Sequence, residues 1–234
     1  MIHGLTDVGQ KRTLNEDSFY FETGKKGFMM IVSDGMGGHN AGEIASTMAV
    51  KALIDYAKEN DMFRDPESSL RKAISFANKK IYKAACRKAS LSGMGTTLVV
   101  AVGNSKKVCI ANVGDSRAYH ISKEKITQIT QDHSFVYELV KNGLITPEEA
   151  KTHPRRNEII KALGIGPEVY PDIFFLDTEK TDKLLLCSDG LTSHVSDEEI
   201  FTIVNRYSRK AATEALVKLA NEYGGSDNIT VVLR

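Results

Sequence analysis

Two short runs of uninterrupted apolar residues, 28–32 (FMMIV) and 184–187 (LLLC), place the tightest constraint on how this chain can fold. Apolar residues that alternate with polar ones mark a strand with one wet face. Runs without alternation, bounded by turn residues, belong to strands covered on both faces. Both runs lead directly into Ser-Asp-Gly. The chain therefore carries buried strands that deliver an aspartate to the rim of the core twice, in the same local frame.

Residues 97–102, 108–113, 117–122 and 229–233 add β-rich segments separated by Gly-Asn, Gly-Asp and Lys-Glu turn signals, and 18–21 is a further plausible strand. A largely antiparallel, meander-like middle is expected. Helical spacing is clear in Ala41, Ile44, Ala45, Met48, Ala49, Ala52, Leu53 and Tyr56, and again in Leu70, Ala73, Ile74, Ala77, Ile81 and Ala84. The second of these helices starts with Asp65 as N-cap and Pro66 at the first position, where the missing N–H would be orphaned anyway. Ser196 with Glu199, and Thr146 with Glu149, have capping-box spacing and start two later helices. A last stripe, including Ala212, Leu216, Leu219 and Tyr223, stops at Gly224 and Gly225. Strands in runs with helices inserted in pairs, rather than in strict alternation, argue for an α+β fold with sheets packed together and helices outside.

No linker, repeat or low-complexity tract divides the 234 residues, so a single domain spanning 1–234 is expected. Residues 133–170 are polar, with short helical pieces expected at 136–141, 147–151 and 158–163, and read as a flap. Lys and Arg total 31 against 30 for Asp and Glu, a net charge of +1 that excludes a uniform field favouring nucleic acid or an anionic membrane. No stretch has the length of a membrane span, and the opening MIHGLTDVGQKR lacks an apolar signal core. Cys86, Cys109 and Cys187 are odd in number and far apart, and read as buried small hydrophobes of a reducing compartment. A cytoplasmic protein, monomeric and bound to no membrane or nucleic acid, is the expectation.

The acidic residues are placed unusually. Asp34 and Asp189 follow the two apolar strands, Asp115 follows Val113 and Gly114, Asp227 precedes the 229–233 strand, and Glu16 with Asp17 precedes 18–21. Asp-Gly and Ser-Asp are ordinary turn chemistry at any one site. Their repetition at several strand ends points to one oxygen-rich site, where mutual repulsion would oppose ionisation unless cations were bound. Oxygen ligands without paired His or Cys select hard cations such as Mg²⁺ or Mn²⁺, and no segment has the EF-hand pattern that calcium would need. The chain lacks GxxxxGK[ST], GxSxG and HExxH, and none of its cysteines has an Arg six positions on. A metal-activated water is thus a better nucleophile than any side chain.

These residues together resemble the metal-dependent PPM, or PP2C-type, serine/threonine protein phosphatases, particularly their short bacterial members. The resemblance runs in order through TDVGQKR (6–12), NED (15–17), DGMGGH (34–39), GTT (95–97), GDSR (114–117), SDG (188–190) and SDN (226–228). It implies a four-layer αββα sandwich of two central, mostly antiparallel sheets flanked by helices. Asp34 is implied to bridge two metal ions, with Asp189 and Asp227 completing the first ion's ligands and Glu16 and the Gly35 carbonyl binding the second. Asp17 is implied to orient metal-bound water. A third, weaker ion between Asp115 and Asp189 is implied by the bacterial pattern.

The implied reaction is hydrolysis of phosphoserine and phosphothreonine monoesters of proteins by a metal-bridging hydroxide, without a phosphoenzyme. Two cations about 3.5–4 Å apart can share and activate such a nucleophile. Arg12 matches the phosphate-binding Arg, whose planar fork donates two hydrogen bonds. Many eukaryotic members have His directly after the Asp-Gly, whereas Met36 stands there and His39 lies three positions later. Either His39 or metal-bound water then serves as general acid. Arg155, Arg156 and Lys161 in the flap are candidates for contacting acidic segments, Asn228 for positioning the Asp227 loop, and Gly37 and Gly38 for close backbone approach. A partner serine/threonine kinase is expected. The alternatives are a regulatory binding module that keeps the fold without turnover, and a switch phosphatase narrowed to one phosphoprotein.

Overall fold

Alternate residues of the 28–32 run face opposite ways into two different cores. Met29 and Ile31 pack with Ala45, Leu53 and Ile74 of the long helices, while Phe28, Met30 and Val32 pack with Leu184, Leu186 and Val232. The second run divides likewise, since Leu185 and Cys187 join Leu191, Leu216 and Ala220 in a third core. That is why neither run alternates in polarity: every residue is buried, at most 2% exposed.

The structure, a computed structural model, describes residues 1–37, 41–179 and 181–234. In chain order the first half comprises β1 (His3–Asp7), β2 (Asp17–Thr23), β3 (Phe28–Met36), α1 (Ala41–Glu59), α2 (Pro66–Arg87), β4 (Gly95–Thr96), β5 (Leu98–Gly103), β6 (Lys107–Val113), β7 (Arg117–Ile121) and β8 (Ile126–Gln128). The second half adds α3 (Phe135–Lys141), α4 (Pro147–Thr152), β9 (Asp172–Asp177), β10 (Lys183–Cys187), α5 (Asp189–Thr192), α6 (Asp197–Arg206), α7 (Arg209–Glu222) and β11 (Ile229–Leu233). One sheet has the order β1-β11-β10-β7-β8 and the other β2-β3-β5-β6-β9, with β4 beside β3. Among the described residues the strand pairings are antiparallel. The sheets meet through the Met30–Leu186 core, α1 and α2 cover the outer face of one, and α5, α6 and α7 cover the other. The helix–sheet–sheet–helix sandwich expected above is the observed fold.

The caps behave as their chemistry requires. Asp65 accepts from the Ser68 N–H, and Thr146–Glu149 and Ser196–Glu199 form reciprocal capping boxes at α4 and α6. Two expectations are corrected. Residues 158–163 are not helical: Ile159 bridges Ser134, and Leu163 exchanges backbone hydrogen bonds with Thr96 at 2.8 and 3.0 Å. Tertiary pairing captures donors that a helix would have used internally. Cys86 is exposed, because it falls on the outer side of α2's last turn, whereas Cys109 and Cys187 are buried. Strands β1 and β8, half-buried at sheet edges, have mixed sequences with no clear apolar signal and are additions to the expected set; β9 (DIFFLD), also at an edge, carries a four-residue apolar run that the sequence analysis did not assign. Among the described residues, no helix is long and apolar enough to cross a membrane.

Candidate metal centre

Antiparallel pairing brings the acidic residues to one end of the sandwich. Chain direction alternates from strand to strand, so the N-terminus of β2 and the C-termini of β3 and β6 lie at the same end of their sheet. The C-terminus of β10 and the N-terminus of β11 likewise lie together in the other. Asp17 sits directly opposite Asp34 in the β2–β3 register. Like charges so placed repel, and here burial removes the water that would screen them.

The carboxylates carry this cost in their protonation. Burial holds the Asp34 carboxyl well above its ordinary range, reinforced by Asp17, Asp189, Asp115 and Asp227. Asp17 is pushed up to about 7 by burial, although hydrogen bonds from Thr230 and Ser188 oppose the rise. Asp189 rises to about 6 through burial and Asp227, offset by a hydrogen bond with Asp34 and by Arg117 and Arg12. Asp115 is raised by burial, then by Asp189 and Asp132. Glu16 rises through burial, against the pull of Arg12 and hydrogen bonds from the Gly42 and Glu43 N–H groups at the start of α1. Five carboxyl groups with raised affinity for protons in one cleft make a site deficient in positive charge.

Neutral side chains hold the acids in place. Asn228 accepts from the Glu16 N–H at 2.8 Å and donates to the Val8 and Leu14 carbonyls at 2.9 Å each, tying the Glu16 segment to the Asp227 loop. The Ser188 hydroxyl donates to Asp17 at 2.7 Å and accepts from the Thr230 N–H at 2.9 Å. Thr97 accepts from the Asp34 N–H at 3.0 Å, and its hydroxyl meets that of Ser116, beside Asp115, at 2.7 Å. Sequence reasoning assigned no role to Ser188, Thr97, Ser116 or Thr230. Ser116 and Ser188 stand beside motif acids in the chain and Thr97 ends the Gly-Thr-Thr motif, but nothing local marks Thr230. Gly35 is required by crowding: a Cβ there would lie 2.6 Å from the Glu16 carbonyl and would also strike the Gly42 backbone.

A hard cation fits the residues present. Glu16 Oε1, Asp17 Oδ1, Asp115 Oδ1 and Asp189 Oδ1 are buried without a hydrogen-bond partner. Orphaned carboxylate oxygens are costly unless something positive meets them, and an all-oxygen donor set suits Mg²⁺ or Mn²⁺. Among the described residues, no three His, Cys, Asp or Glu side chains enclose an ion by themselves.

Arg12 lies half-exposed at the rim and donates to Asp227 at 2.8 Å. Two of the three candidate cations of residues 133–170 have partners: Arg155 grips Glu158 through two hydrogen bonds of 2.6 Å, and Lys161 donates to Asp172 at 2.9 Å. Arg156 instead lines a cavity of ≈ 520 Å³ between Asp115 and Asp189 on one side and Val136, Val140 and Pro147 of α3 and α4 on the other. Gly37 has φ +148°, a conformation glycine accepts readily. Gly38 and His39 lie outside the described residues.

The sequence model of the family described as Protein phosphatase 2C matches residues 8–233. The chain is 45% identical over 233 residues to the serine/threonine phosphatase stp of Listeria welshimeri, covering 97% of this chain and 92% of that one. Among solved structures it is similar to the serine/threonine phosphatase Stp1 of Staphylococcus aureus, with a TM-score of 0.94 and 42% identity over 99% of this chain and 93% of that one. It is also similar to the catalytic domain of the serine/threonine protein phosphatase PstP in complex with two manganese ions, with a TM-score of 0.89 and 36% identity over 100% and 96% of the two chains.

Proposed function

The chain belongs to the protein phosphatase 2C family, and on that premise we propose a serine/threonine protein phosphatase in which Glu16, Asp34, the Gly35 carbonyl, Asp189 and Asp227 hold two divalent cations. The observation that carries the site assignment is the set of buried, unpartnered carboxylate oxygens at the mouth where both sheets end. A binding module without turnover has no use for acids kept together against such repulsion. When bound, Mg²⁺ or Mn²⁺ supplies Lewis acidity that lowers the pKa of a water and neutralises charge on a phosphoryl group. A third, weaker position lies between Asp115 and Asp189, supported by the unpartnered oxygen on each.

The chain's own groups do the rest. Asp34 is repelled by Asp17, Asp189, Asp115 and Asp227, the surroundings expected of a carboxylate that would be shared between cations. Asp17 is anchored through one oxygen by Ser188 and keeps Oδ1 free to accept a proton-bearing group and orient it. Among the described residues Arg12 is tethered by Asp227 at the rim, where its fork would be placed to donate to a phosphate oxygen. His39 is retained as the candidate proton donor to the leaving alkoxide. The Val136–Val140 wall with Arg156 offers apolar and cationic contacts to residues flanking the phosphorylated one.

A monoester on serine or threonine is made by phosphoryl transfer to a hydroxyl, so a serine/threonine kinase supplies the substrate. Cysteines without disulfides suit a reducing, cytoplasmic setting.

Phosphate release from a phosphothreonine peptide in Mn²⁺, abolished by excess chelator and by Asp189→Ala, tests this reading; turnover that survives the chelator sinks it. Arg12→Ala is expected to lower kcat/KM about 10–100-fold, the worth of charge-assisted hydrogen bonds to phosphate. Its Mn²⁺ affinity should be unchanged or tighter, because the Arg competes for Asp227. A kcat/KM equal to the parent's would remove Arg12 from the phosphate site.

A further inference from the structure

We infer that His133 is a positioning residue for Asp115: its neutral ring clamps the Gly114 peptide and couples the flap to the carboxylate edge. This rests on the reading of Asp115 as a metal ligand and goes beyond it by naming what sets its geometry. His133 touches both backbone polar groups of Gly114, one in each of the peptide units that flank its Cα. The Gly114 N–H donates to His133 Nδ1 at 2.9 Å, and the His133 N–H donates to the Gly114 carbonyl at 3.0 Å. The same carbonyl accepts from Asn112 Nδ2 at 3.1 Å. Gly114 itself has φ +108°, and a Cβ there would lie 2.6 Å from Thr97 Cβ, so the peptide is held in a conformation that only glycine fills.

The hydrogen bond from Gly114 dictates the tautomer. Nδ1 accepts, so the ring proton is on Nε2, which faces Asp172 Oδ2 at 3.2 Å. Asp172 Oδ1 in turn takes Lys161 at 2.9 Å, and Lys161 Nζ lies 3.4 Å from the same Nε2. The ring is mostly buried, with Asp172 at the start of β9, Lys161 in the returning limb of the flap and Asp132 beside it in the chain as the charged groups around it. The Ile160 N–H donates to the His133 carbonyl at 2.9 Å, so both limbs of the flap end on this residue. Asp115 keeps an unpartnered oxygen, and Asp115 and Asp189 line the flap cavity together. A rotation of the Gly114 peptide moves Asp115 directly. Groups behind a metal ligand typically cost about 10–100-fold in affinity or activity when lost.

Two isosteric substitutions separate this role from simple packing. His133→Asn places an amide oxygen near the position of Nδ1 and can accept from Gly114 while losing Asp172. His133→Gln reaches toward Asp172 while losing the Gly114 acceptor. In the full chain, with Mn²⁺ as the probe, calorimetric isotherms should show the weaker Mn²⁺ step displaced about tenfold in His133→Gln and near the parent in His133→Asn. Phosphothreonine-peptide turnover should follow the same order, with kcat changing more than KM, and Asp115→Ala should lose altogether the weaker step that His133→Gln displaces. Thermal melts in chelator verify that each variant is folded. Asn as damaging as Gln, or Gln indistinguishable from the parent while Asp115→Ala loses the weak step, overturns the inference. If Asp115→Ala binds Mn²⁺ as the parent does, the reading of Asp115 fails, and the inference fails with it.

Discussion

Asp34→Asn is expected to remove turnover while raising the stability of the metal-free protein. The two effects have one cause. Asp34 is repelled by four of the clustered acids, with Asp17 opposite it in the strand register and Asp189 close enough to exchange a proton with it. A carboxylate there is useful only when it faces cations. An amide cannot bridge two of them, and the loss of several kcal/mol of transition-state stabilisation corresponds to a fall of about 10³-fold in kcat/KM. In chelator, the same amide removes one buried charge and supplies a permanent donor to Asp189, where the parent must take up a proton to make that hydrogen bond. A gain of about 1–2 kcal/mol would raise Tm by roughly 2–8 °C in a chain of this size. Turnover within tenfold of the parent, or a lower Tm in chelator, would show that Asp34 is not the centre of the charge deficit.

The metal-free protein should lose stability as pH rises from about 4 to about 7, and Mn²⁺ should reverse that loss. Asp17 titrates near 7 and Asp189 near 6 in the fold, against an ordinary value of 3.8, with Asp34 and Asp115 shifted the same way. Between the unfolded and folded values the native state binds more protons than the unfolded chain, so stability falls with rising pH through that window. The paired acids Asp172, Asp182 and Glu199 are shifted downward and act the opposite way, but only below about pH 4–5. Melting curves in chelator should therefore show a Tm several degrees higher at pH 5 than at pH 8. Cation at about 100 times its Kd adds roughly 2.7 kcal/mol per site, so Mn²⁺ at pH 8 should raise Tm by roughly 5–10 °C for each site it fills. Curves that do not depend on pH in chelator, or no shift with Mn²⁺, would contradict a cluster held against its own repulsion.

Much of this site was legible in the chain because its acids lie beside strands whose own pattern is strong. The two Ser-Asp-Gly endings follow runs buried on both faces, and burial on both faces leaves a sequence trace. Capping boxes at Thr146 and Ser196 were equally readable, since both partners lie within four residues. The weak elements were those whose identity depends on partners elsewhere. β1 pairs with β11 across the whole length of the chain, and residues 158–163 gave up helical bonding to meet Ser134, His133 and Thr96. Cys86 looked like a core residue by composition and became exposed through its angular position on α2.

The sequence by itself determined which groups could do chemistry: a set of oxygen donors at strand ends, an arginine near them, and no competing nucleophile. Only the tertiary structure decided their mutual distances and company. It set Asp17 across from Asp34, engaged Arg155 and Lys161 in ion pairs while leaving Arg156 at the cavity, and placed His133 behind Asp115. The reason is physical. Periodicity and turn chemistry are written in neighbouring residues, whereas repulsion, orphaned oxygens and hydrogen-bond clamps arise between residues brought together by sheet register.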